Sequence, residues 1–297
     1  MLFDVPLSVL YAQMFTGLVL GGILIMLAIG LSLIFGLMTV VNFSHGALYM
    51  LGAYFGVFLL GMTKSFIVAL VLAPIMVGIV GLIMERFLIR RLYGRSPDDP
   101  LLLTFGLSLM FIEAVRMIWG KIGLQMDPPR ALAGAVNLGF MMFPSYRLMV
   151  LGITALVLVA LWLFLTRTNL GLIIRAGSRD SLMVRALGID VGRIWLIVFG
   201  IGTALAGLGG VLAGPMRSVS AEMGVTMVIE SFVVVVVGGM GSLLGAVVSG
   251  LLIGQVVALT TLFAPKLSEI MVFVVMAIVL LVRPSGLFGE AGLAEGP

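Results

Sequence analysis

The chain has 297 residues, of which 62% are hydrophobic and 10% charged, with a mean hydropathy of +1.29 and a net charge of +4. Soluble domains carry about 25% charged residues, so a chain this poor in charge requires lipid as its main solvent. It has no cysteine, which excludes disulfides, thiolate metal sites and cysteine nucleophiles.

Apolar segments follow one another along the chain. The first eight residues, MLFDVPLS, carry an Asp and no Lys or Arg, so they read as mature protein and not as a signal peptide. From Val5 to Thr63 there is no Asp, Glu, Lys or Arg, and this stretch is too long for one span. Its expected break is the polar cluster Asn42-Phe43-Ser44-His45-Gly46. Phe66 to Met84 is the next run, followed by Glu85, Arg86, Arg90 and Arg91; another extends from near Leu101 to near Trp119. A mixed loop covers Gly120 to Tyr146, then Leu148 to Thr166 and Ile194 to Met216 are apolar. The uncharged stretch from Ser231 to Pro265 would form a helix of roughly 50 Å against a hydrocarbon core of ~30 Å, so it must turn. Gly238-Gly239-Met240-Gly241-Ser242 is the expected place, and Ile270 to Val282 closes the series.

The fold class is therefore an all-α polytopic membrane protein of eight or nine spans, with two interrupted regions, forming one transmembrane domain over 1–297. Arginines concentrate in two connections, Arg86 to Arg95 and Arg167 to Arg193. By the positive-inside rule both are cytoplasmic, the N-terminus is outside, the C-terminus is inside, and the odd parity favours nine crossings. Charge sorted in this way is a topology signal and not a nucleic-acid footprint.

The longest water-facing connection on the basic side, about 168–193, reads TNLGLIIRAGSRDSLMVRALGIDVGR. Ser178 is expected to cap a short helix from Arg179 to Leu187, with Gly188 as its stop. Leu182, Met183, Ala186 and Leu187 share one face, which suits either docking into a groove on a partner or lying on the lipid surface. Within the membrane, Asn42, Ser44 and His45 stand at an expected helix start, where exposed N–H groups face a carboxylate in transit or simply satisfy the local backbone. Glu113 and Arg116 lie three apart on one helix face, so they pair internally or mark a pathway. Glu230 precedes a long uncharged run and is placed at the outer mouth, as a boundary residue or a partner for an ammonium group. Gly239 and Gly241 mark the second break, which occupies a place in the second half loosely like that of the first break in the first half.

Several motifs in order resemble the permeases of bacterial ABC importers, in particular the branched-chain amino acid family. Gly30-Leu31-Ser32-Leu33-Ile34-Phe35-Gly36 leading to Asn42-Phe43-Ser44-His45-Gly46 is similar to the family's first signature. Arg175-Ala176, Asp180 and Ala186-Leu187-Gly188-Ile189 resemble its cytoplasmic coupling loop. Ala204 to Pro215, Val237 to Ser242 with Gly245-Ala246, and Arg283-Pro284-Ser285-Gly286-Leu287-Phe288-Gly289 follow in the same order; residues 96–147 add little. The resemblance implies a permease subunit, not an enzyme, in a bacterial cytoplasmic membrane, moving amino acids or related solutes by alternating access. It implies Arg175, Arg179, Asp180, Leu182, Met183, Leu187 and Gly188 as the coupling segment. Its implied partners are a second homologous permease in a heterodimer, two ATP-binding subunits and an extracytoplasmic solute-binding protein. The chain has no GxxxxGK[ST] phosphate loop, so it is expected to bind no cofactor, with ATP held on the partners. A sugar permease of the same superfamily and an ion-coupled secondary transporter are the competing readings. The latter calls for more acidic residues in the spans than Glu113 supplies.

Overall fold

The computed structural model describes residues 6–96, 98–139 and 141–289, so both chain termini, expected on opposite sides of the membrane, lie outside the described residues. Eleven helices account for most of them: α1 Leu7–Met38, α2 His45–Thr63, α3 Phe66–Phe87, α4 Asp98–Trp119, α5 Ser145–Arg167, α6 Asn169–Arg179, α7 Ser181–Ala186, α8 Val191–Ala213, α9 Met223–Gly238, α10 Leu243–Phe263 and α11 Ser268–Val282. Eight are long and apolar enough to cross a membrane, and α9 is a shorter ninth apolar helix. Both expected breaks are present, between α1 and α2 and between α9 and α10. The Gly120–Tyr146 loop holds a feature the sequence reading lacked, a two-stranded antiparallel hairpin of β1 Ala135–Asn137 and β2 Met142–Pro144, with Val136 opposite Phe143.

The centre of the bundle is α1, buried almost continuously from Gly21 to Ile34. It packs on α10, α8, α9 and α5, while α8 also packs on α2 and α3. Hydrophobic burial cannot choose between helix and lipid, so glycine contacts and polar ties carry the packing. A methyl group on Gly46 would collide with the Gly224 carbonyl of α9, and one on Gly52 with the Gly207 carbonyl of α8. Side chains then stitch helix to helix. Gln13 Nε2 donates to the Ala258 carbonyl (2.6 Å), Gln255 Nε2 to the Met14 carbonyl (2.8 Å), Tyr146 Oη to the Leu212 carbonyl (2.9 Å) and Ser249 Oγ to the Val234 carbonyl (2.7 Å).

At one end of the bundle, Glu85 is fully buried at the last turn of α3 and receives a two-pronged pair from Arg90 (3.1 and 3.2 Å) plus the Tyr93 hydroxyl (2.9 Å). Arg90 also donates to the Gly192 carbonyl in the first turn of α8 at 2.8 Å. Burial, with the neighbouring Glu85 carboxylate, pushes the Tyr93 phenol well above its ordinary range. The Arg90–Gly192 bond joins the two arginine-rich connections, so they do share one end of the protein. By contrast, α11 buries only Val272 among its described residues and turns an apolar surface outward.

Candidate functional site

Three constellations contain the residues singled out from the sequence. The first is the connection between α5 and α8. Here the expected single helix from Arg179 to Leu187 is corrected: there are two helices, meeting at Asp180. Thr168 caps α6 by accepting from Gly171 N (3.0 Å), and Arg175, within α6, donates to the Leu165 carbonyl. Ser178 is not a cap; its hydroxyl returns to the Arg175 carbonyl (3.0 Å), and Arg179 is the last residue of α6. Asp180 is the cap of α7, its carboxylate accepting from Met183 N at 2.8 Å. The carboxylate wins because an N-cap oxygen must reach the N–H of the second or third helical residue. Gly188 ends the segment in a left-handed conformation (φ +80°), as expected of a helix stop. Val184 faces inward, while Leu182, Met183 and Leu187 are 75%, 58% and 72% exposed. Three large apolar side chains exposed on a polar connection suit either docking on a partner or lying on the lipid surface.

The second constellation adjoins the first. A cavity of about 450 Å³ is lined by Phe35, Gly36 and Thr39 at the end of α1, by Ser178, Arg179 and Ser181, by Gly241 and Ser242 of the second break, and by Phe288 and Gly289. Gly239 (φ +100°) and Gly241 (φ +82°) adopt backbone conformations that side chains disfavour, which is why the break is glycine-rich. The C-terminal segment then caps α9: Leu287 N donates to the Val237 carbonyl (2.8 Å) and Phe288 N to the Gly238 carbonyl (3.0 Å). Four motifs far apart in sequence thus meet at one place: the end of the first signature, the α6–α7 junction, the second glycine break and the C-terminal ending. Gly36, Phe288 and Gly289 were not singled out as site residues; their motifs were visible, but their convergence is tertiary.

The third constellation is the first break and the polar residues of α4 and α9. Asn42, Ser44 and His45 are fully buried. Asn42 Oδ1 accepts from Ser44 N (3.1 Å) and Ser44 Oγ (2.5 Å), and Phe43 N donates to Thr104 Oγ1 of α4 (3.1 Å). His45 opens α2 against Gly30 of α1, and neither ring nitrogen makes a hydrogen bond of good geometry. Glu113 does pair with Arg116, and Arg116 also bonds Glu222 just before α9 (2.6 Å). That guanidinium holds the Glu222 carboxyl below its ordinary range. Glu222, missing from the sequence reading, turns an intrahelical pair into a tie between α4 and α9. Glu230 is half-buried, midway along α9 and away from the 450 Å³ cavity. Among the described residues no group of three His, Cys, Asp or Glu could hold a metal ion.

Eight apolar helices long enough to span a membrane and a shorter ninth, interrupted once at a polar turn and once at a glycine-rich turn, with two short helices at the arginine-rich end, make up the build of a polytopic membrane protein. The family described as "Branched-chain amino acid transport system / permease component" matches residues 13–280, and the chain belongs to that family. It is 30% identical to the high-affinity branched-chain amino acid transport system permease protein BraD of Pseudomonas aeruginosa, covering 94% of this chain and 95% of that one. The corresponding LivH protein of Escherichia coli is 27% identical at the same coverage. LivM of E. coli, a second permease protein of the same named system, is 28% identical over 89% of this chain and 67% of its own length. PsaBC from Streptococcus pneumoniae, solved in complex with a Fab, has a chain that shares the fold, with a TM-score of 0.51, 15% identity, and coverage of 92% and 90%. BraD, LivH and LivM are named as permease proteins, and two distinct permeases of one named system, LivH and LivM, are both similar to this chain. The sugar-permease and secondary-transporter readings are not favoured.

Proposed function

We propose that this chain carries branched-chain or closely related amino acids across a bacterial cytoplasmic membrane, as one of two permeases in an ATP-driven importer. Its arginine-rich end, with α6 and α7, faces the cytoplasm; the hairpin loop faces outward; the N-terminus is outside and the C-terminus inside. Two ATP-binding subunits dock on α7, a solute-binding protein delivers amino acid from outside, and the second permease is a homologous partner. The chain itself binds no cofactor, and ATP is hydrolysed on the partner subunits. The names of the relatives support the solute class.

One observation carries the coupling role: Leu182, Met183 and Leu187 stand exposed on a helix whose neighbours line the same cavity as the α9–α10 break. Movement of α6 and α7 by a partner therefore presses on Gly241, Ser242 and the end of α1. Asn42, Ser44, His45, Glu113, Glu230, Gly239 and Gly241 remain the proposed pathway and hinge positions.

The test is purification from native membrane in mild detergent, with Leu182 and Leu187 intact or changed to Asp. The intact chain is expected to bring ATP-binding subunits with it, and the double variant to lose them. A chain that purifies alone and moves amino acid in liposomes without ATP overturns the reading.

A further inference from the structure

The outward face of α4 differs from a plain lipid-facing surface. Leu102, Leu109 and Met117 are exposed on it, while Leu107, Ile112 and Val115 are buried on the opposite side. Glu113 lies on the exposed stripe, one turn from Leu109 and one from Met117, and its side chain is 56% exposed. It stands roughly 9 Å along the axis from the last residue of α4, and so within the span. Arg116 pairs with Glu113 and also reaches the Glu222 carboxylate at 2.6 Å. That bond holds Glu222, 63% exposed, level with Arg116 and short of the end of α4. Val225 and Ile229 of α9 follow Glu222 at helical spacing and are exposed as well. Two carboxylates against one guanidinium leave the group with one negative charge in excess. Lys121, just past the end of α4, makes no ion pair with either carboxylate among the described residues.

Ionisable groups within spans face protein or a water-filled cavity, because hydrocarbon solvates charge poorly. Gly106 adds an independent observation. It lies two turns before Glu113 on the same stripe, and it has open space where a side chain would go. Inside the bundle, Gly46 and Gly52 admit the backbone of a neighbouring helix. A glycine on an open face, in line with an outward carboxylate, offers the same close approach to a helix from outside the chain. We infer that this face of α4 and α9 seats the second permease. The partner lays an apolar helix over Gly106 and sets a lysine or arginine against Glu113 and Glu222. The excess negative charge calls for that cation, and carboxylates this exposed keep acceptor positions for it. A second copy of this chain does not fit: a two-fold pairing of the face would oppose two net-negative groups. The inference rests on the reading that the importer holds two distinct permeases. Glu113 remains a pathway position on it, shared between the two chains.

The experiment uses the whole importer in its native membrane. A photo-crosslinking amino acid replaces Leu109 or Met117 on the proposed seat, and Ile75 of α3 or Leu156 of α5 as exposed controls. After irradiation, Leu109 and Met117 are expected to give adducts with the second permease, identified by mass spectrometry, and the controls none. In a second arm the complex is purified in mild detergent and the second permease retained per chain is measured. Gly106→Leu is expected to lower it severalfold, while Gly152→Leu, equally open but on α5 with no carboxylate on its stripe, leaves it unchanged. Glu113→Gln with Glu222→Gln is expected to lower it about tenfold, and Glu113→Asp with Glu222→Asp to recover part of the loss. Adducts at Leu109 and Met117 with lipid alone, with the binding protein or with a second copy of this chain overturn the seat. Full retention in the Gln double variant overturns the cationic partner. Absence of any second permease from the native complex overturns the two-permease reading itself, which separates the two failures.

Discussion

Glu85 illustrates how a single residue is held in a protein with so little charge. Its side chain is fully buried, and its acceptor oxygens are used by Arg90 and Tyr93. Because Arg90 reaches on to Gly192, the carboxylate fixes the end of α3 to the start of α8. Glu85→Gln keeps the shape but leaves the guanidinium without its counter-charge. Breaking a buried pair from one side costs about 3 kcal/mol or more in a fully buried setting, and less here because Arg90 is 28% exposed. A lowered Tm of the detergent-solubilised complex is the expected outcome; an unchanged Tm would mean that the pair contributes nothing to this junction. The sequence put Glu85 at a span boundary and stopped there, since nothing in one chain shows that Arg90 bonds across to Gly192.

At the scale of elements, α2 carries two glycines of opposite meaning. Gly46 lies against the Gly224 backbone of α9, whereas Gly61 has open space where a side chain would go. Both look alike in sequence, as small residues in an apolar helix. Gly46→Ala is expected to force α2 and α9 apart, at a cost of about 1–3 kcal/mol or more, because the obstructing atoms are backbone and cannot rotate away. Gly61→Ala is expected to be tolerated. Yield of monodisperse complex checks both, and equal behaviour of the two variants would refute the close α2–α9 approach. The α6–α7 segment teaches a related lesson. Its stop at Gly188 and its exposed Leu182, Met183 and Leu187 were legible from spacing. Its start was not: Ser178 and Asp180 are both good caps, and only the geometry of the α6–α7 junction selects Asp180.

For the molecule as a whole, orientation is the claim most open to direct test. The chain has no cysteine, so single cysteines can be introduced without removing any native thiol. Ser96→Cys, in the exposed connection between α3 and α4, is expected to react with an impermeant thiol reagent only when the cytoplasmic side is opened. Ala133→Cys, exposed before the hairpin, is expected to react in intact cells. The reverse pattern would invert the topology.

The sequence by itself determined the class of solvent, the apolar segments, both breaks, the basic end and the family, because each is written in local composition or in contiguous motifs. Lipid makes this reading unusually direct, since every backbone polar group in a span must be satisfied within its own helix. Only the tertiary structure decided which segments meet. It joined Gly36, Arg179, Gly241 and Phe288 around one cavity and carried Arg116 to Glu222. The physical reason is that helix association in lipid depends on close backbone approach and a few directional polar contacts. Those depend on which faces meet, and periodicity along one chain does not encode the neighbour.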